Sequence, residues 1–66
     1  MEALYVYMIV NKENYKFMNS NELCDDTFNI VKGIRFQTYG RAESYLNNFI
    51  DKENYKIVKV KQTIEE

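Results

Sequence analysis

The chain contains no histidine and no proline, a single cysteine, and only two glycines, Gly33 and Gly40. Without histidine it lacks both the commonest general base and the commonest metal ligand. One cysteine excludes an internal disulfide framework and a cysteine-based zinc cluster. It also favours a reducing compartment, so a cytoplasmic location is expected. The scarcity of proline and glycine leaves no linker-like or low-complexity stretch. No apolar run approaches the roughly 20 residues that a membrane-spanning helix needs, and no basic segment precedes the first apolar stretch. Neither a membrane anchor nor a secretory signal is therefore expected. An excess of one charge is missing too, since nine basic and ten acidic side chains leave a net charge of -1.

What remains is 66 residues, 45% of them hydrophobic, which is too apolar for disorder and too short for two domains. Residues 1–66 are read as one domain. Residues 3–10, A-L-Y-V-Y-M-I-V, are rich in β-branched and aromatic types and predict a strand with both faces at least partly covered. Leu4, Val6, Met8 and Val10 share one face, and Tyr5, Tyr7 and Ile9 the other. Asn11-Lys12-Glu13-Asn14 has hairpin-loop length, and residues 15–18 then predict a short second strand antiparallel to the first. A polar loop over 19–26 carries Glu22, Cys24, Asp25 and Asp26. Residues 27–32 fit either a short helical turn capped by Asp26 and closed by Gly33, or an edge strand. Residues 34–37 read as extended and bury Phe36.

The clearest helical signal follows. Thr38 reads as an N-cap, and the apolar positions Tyr39, Ala42, Tyr45, Leu46, Phe49 and Ile50 form one stripe at helical period up to residue 50. Residues 51–54 make a polar connection, residues 55–63 the last strand, and residues 64–66 a frayed tail. Lys12-Glu13-Asn14-Tyr15-Lys16 recurs as Lys52-Glu53-Asn54-Tyr55-Lys56. The flanks differ, strand-like in one case and helix-like in the other, so the echo reflects similar turn chemistry rather than a duplicated unit.

The order β-β-α-β predicts an α+β domain: a three-stranded, largely antiparallel sheet in the order 2-1-3, with one helix on one face. The helix is expected on Leu4, Val6 and Met8, with Phe17, Phe36, Val58 and Val60 completing the core. That arrangement leaves Tyr5, Tyr7 and Ile9 uncovered on the opposite face, beside Tyr55, Ile57, Lys59 and Lys61. Such a patch is more apolar than a small monomer ordinarily shows to water.

Phe36, then Ala42 and Tyr45-Leu46 on a helix, then Tyr55-x-Ile57-Val58-x-Val60 on a closing strand form a pattern. It resembles a group of small uncharacterised proteins of phages and prophages of Gram-positive bacteria. Members of that group open with strand pairs like residues 5–10 and 15–18. The resemblance implies a β-β-α-β fold and no known activity, so no site residue is carried over. The loop over 19–26 has no counterpart in it.

No constellation of catalytic residues emerges. Cys24 has Glu22, Asp25 and Asp26 as near neighbours, whose charge disfavours a thiolate. The same carboxylates do not follow the spacing of a calcium-binding loop, and no glycine-rich phosphate cradle is present, so no metal or cofactor is expected. The chain is expected to be a non-enzymatic interaction domain. It would bind a protein partner or form a homodimer through Tyr5, Tyr7, Ile9, Tyr55 and Ile57, tyrosine being enriched in interface cores. The alternative is single-stranded nucleic acid held by Tyr55, Lys56, Lys59 and Lys61, where rings stack on bases and lysines follow the backbone. Against that stand the net charge of -1 and a pI near 5.4.

Overall fold

A computed structural model describes residues 3–21 and 23–63. Glu22 of the acidic loop and the tail at 64–66 lie outside the described residues. Two nine-residue strands, β1 (Ala3–Asn11) and β2 (Tyr55–Thr63), form an antiparallel ribbon. The register runs from Ala3↔Thr63 to Asn11↔Tyr55. One helix, α1 (Tyr39–Leu46), and two single turns of 3-10 helix, Ile30–Lys32 and Lys52–Asn54, complete the regular structure among the described residues.

The sheet therefore has two strands, and the expected three-stranded order 2-1-3 is corrected. Residues 15–18 do run along the free edge of β1, but only as a single bridge between Val10 and Phe17. Local hydrogen bonding explains why no ladder forms. The Asn11 side chain accepts from the backbone N–H groups of Glu13 and Asn14, and the Asn14 side chain accepts from that of Lys16. The bond to Lys16 holds a donor that a ladder opposite Asn11 would need, and the bonds to Glu13 and Asn14 fix the turn before it. Tyr15 also adopts a left-handed conformation (φ 60°), which turns the chain out of the extended line. Phe17 then bridges onward to Thr27, and the next stretch of the β1 edge is taken by Phe36, which exchanges two backbone bonds with Tyr7 (2.8 and 2.9 Å). Two short pieces thus stand where one strand was expected.

Residues 27–32 combine parts of both readings: Thr27 is extended against Phe17, and Ile30–Lys32 is a 3-10 turn. The cap of that turn is Asn29, whose side chain accepts from the Val31 N–H, rather than Asp26. Thr38 caps α1 as expected, its Oγ1 accepting from the Arg41 N–H at 3.2 Å. The helix ends at Leu46 and not at Ile50. Asn47 and Asn48 are poor helix formers, and the Asn48 side chain donates to the Ser44 carbonyl and so competes for the last turn. Ile50 consequently leaves the apolar stripe and is fully exposed.

The helix also lies on the opposite face of the ribbon from the one expected. Ile9, Met18 and Leu46 form the buried centre, with Ile34, Phe36, Tyr45, Phe49, Tyr55 and Ile57 packed around it. The odd-numbered residues of β1 thus meet α1. On the even face, Met8 and Val10 are buried as well. There Phe17 shares the side of Val10, and the backbone of Gly33 comes so close to Met8 that a Cβ on Gly33 would lie 2.3 Å from the Met8 Cε. The loop between residues 17 and 33 does on that face what the helix was expected to do.

Candidate functional site

The helix position redistributes the five residues expected to form one exposed interface. Ile9 is completely buried, which corrects its assignment to a surface. Ile57 and Tyr55 pack against the same core. Tyr7 is partly buried and meets Tyr39 of α1 edge to face, with ring centroids 6.0 Å apart. Only Tyr5, 49% exposed, faces solvent as expected.

The four residues of the nucleic-acid alternative separate in a similar way. Tyr55 turns inward, and Lys56 lies on the other face of β2, its Nζ 5.1 Å from the centre of the Tyr15 ring. Lys59 and Lys61 do stay together, on the helix side of the ribbon beyond the end of α1's cover. Lys61 is the cross-strand partner of Tyr5, and the Lys59 Nζ lies 4.4 Å over the Tyr5 ring. This is cation–π geometry.

Lys59 and Lys61 border an open strand edge, whose polarity follows from the register. Tyr7 spends its N–H and C=O on Phe36, and the Ile9 C=O accepts from Met18, so odd residues of β1 point away from β2. In an antiparallel pair the hydrogen-bonded positions alternate, so the even pairs Val6↔Val60, Met8↔Val58 and Val10↔Lys56 carry the ladder. The main-chain groups of Ile57, Lys59 and Lys61 therefore point outward, where β2 has no neighbouring strand among the described residues. Periodicity revealed which residues share a face. It held no sign of which edge is free, since that depends on what the intervening 40-odd residues do with β1.

A second feature is a cleft of about 460 Å³ between the loop, α1 and the start of β2, with Cys24, Asp26, Phe49, Asp51 and Tyr55 among its walls. The Tyr55 hydroxyl donates to Asp26 Oδ2 at 2.7 Å. Burial, the hydrogen bond to Asp26 and the Asp26 charge together push the Tyr55 phenol up to about 12. It stays protonated near neutrality and acts as a tie between the loop and β2, poorly poised for proton abstraction. No sequence signal announced this bond, whose partners lie 29 residues apart. Among the described residues, no group of three or more Cys, Asp or Glu side chains is placed to hold a metal ion. No helix there is long and apolar enough to cross a membrane.

The Tyr55 tie has a pH signature. Its folded value of about 12 lies above the ordinary 10, so its stabilisation is held in full below pH 10 and drains away as pH rises from 10 to 12. Tyr55→Phe should cost about 1 kcal/mol at neutral pH and remove that alkaline component. Urea unfolding at neutral pH and at several points above pH 10 checks both effects. An unchanged alkaline slope in the variant would contradict the assignment.

Comparison with known proteins found no matching family model, no matching curated protein and no matching solved structure.

Proposed function

We propose that the chain is a non-catalytic domain that binds a protein partner at the open side of the β1–β2 ribbon, around Tyr5, Lys59 and Lys61. The observation that carries this reading is the outer edge of β2, which among the described residues has a neighbouring strand on one side only. A long, unpaired edge is a template for another chain. Absence of catalytic poise in the cleft supports the non-catalytic part: its phenol is locked on Asp26, and no lysine or arginine lines it beside Cys24. The resemblance to small phage and prophage proteins favours a host protein as partner.

Single-stranded nucleic acid is the second reading, favoured by the Lys59–Tyr5 pair with Lys61 opposite the same ring. A photo-reactive phenylalanine analogue placed at position 5, where it keeps an aromatic ring and both lysines, or at position 44 on the exposed side of α1, separates the two. In lysate of the native host, irradiation should yield a protein adduct from position 5 and none from position 44. A nucleic-acid adduct at 5 would establish the second reading instead, and no adduct at 5 would overturn both.

A further inference from the structure

We infer that the segment docking on this domain is an extended strand with acidic side chains at alternate positions and apolar ones between, added to the outer edge of β2. The inference rests on the protein-binding reading and specifies its partner. Ile57, Lys59 and Lys61 offer outward N–H and C=O groups at every second residue, about 7 Å apart along the strand. Only the alternate main-chain groups of another extended segment match that spacing, which is how strand addition supplies affinity.

Side chains then set the sequence preference. On an added strand, residues beside Lys59 and Lys61 face the helix side and meet two exposed lysines, the Lys59 ammonium lying over the Tyr5 ring of β1. Opposite charges on neighbouring strands attract and like charges repel, so glutamate or aspartate fits both positions. The residues between them face the other side, next to the partly buried Val58 and Val60, where apolar side chains extend the sheet face. A second copy of this chain fits poorly. Two β2 strands paired antiparallel about Lys59 would set Lys59 against Lys59, and parallel pairing in register would stack lysine on lysine. The lysines that blunt the edge against its own kind are those that would attract an acidic strand.

The test uses the full chain, labelled with ¹⁵N, and three capped nine-residue peptides. One alternates glutamate and valine, one alternates lysine and valine, and the third is the glutamate–valine peptide N-methylated at alternate residues. The acidic peptide should slow amide exchange at Ile57, Lys59 and Lys61 by about tenfold or more at saturation, and the double variant Lys59→Glu, Lys61→Glu should weaken binding about tenfold. The lysine and N-methylated peptides should not bind. Equal binding of the N-methylated peptide, or protection at other residues, would overturn strand addition while leaving protein binding intact. Protection of the three amides by raising the protein concentration alone would show a second copy as the occupant. No binding of the acidic peptide at about 1 mM would overturn the inference, whereas the reading beneath it falls only if position 5 also fails to crosslink.

Discussion

Ile9→Ala should cost about 2–5 kcal/mol of folding stability, against less than about 1 kcal/mol for Tyr5→Ala four residues away on the same face. Both side chains alternate on the helix side of β1, and by sequence alone they belong to the same patch. Their surroundings differ: Ile9 is wholly enclosed between Met18 and Leu46, while Tyr5 is half in water with Lys59 over its ring. Truncating Ile9 removes apolar area and leaves a cavity that close-packed neighbours fill only in part. A domain of this size holds on the order of 3–5 kcal/mol in all, so a substantial fraction of Ile9→Ala is expected to be unfolded at 25 °C. Circular dichroism with urea titration measures both variants. Equal losses at the two positions would mean that α1 does not lie on this face.

Gly33→Ala should destabilise by about 1–3 kcal/mol through overpacking. Gly33 has φ -70°, so an alanine there meets no backbone strain, and its effect is steric. The new Cβ would fall 2.3 Å from Met8 Cε and 3.0 Å from Phe17 Cβ. The end of a methionine is flexible, but Met8 is fully buried, so moving it presses on close-packed neighbours. Phe17 Cβ is held through a backbone that bridges both Val10 and Thr27. Because the clash is shared with Met8, the loss in the double variant Met8→Ala, Gly33→Ala should be smaller than the sum of the single losses by about 1 kcal/mol or more. Strict additivity in denaturant unfolding would show that the loop does not rest on Met8.

Which features were legible in the chain depends on how far apart the interacting residues lie. The N-cap at Thr38 is a bond to Arg41, three residues away, and its signal is complete within one turn. The end of α1 is local too, yet the apolar stripe through Phe49 and Ile50 masked it, because period alone does not register the side-chain competition of Asn48 for the Ser44 carbonyl. The second strand failed for a related reason: the Asn14 side chain took up the Lys16 N–H, and hydrophobic alternation over 15–18 is silent about that. Of the site, Lys59 and Lys61 were legible as exposed lysines on a strand. Their pairing with Tyr5 needed the register, and the free edge needed the whole path of the chain.

By itself the sequence determined the two long strands, the start of the helix, and the absence of histidine and cysteine-cluster chemistry. Each of these follows from composition or from forces acting within a few residues. Only the tertiary structure decided which face of β1 the helix would cover. Both faces are apolar, with Ile9 on one and Met8 on the other, so burial alone favours neither. The choice came from contacts across long sequence gaps: Tyr7 with Phe36 and Tyr39, Met18 with Ile34, Gly33 against Met8, and Asp26 with Tyr55. These contacts pack the helix on one side and the loop on the other, and they leave the outer edge of β2 open.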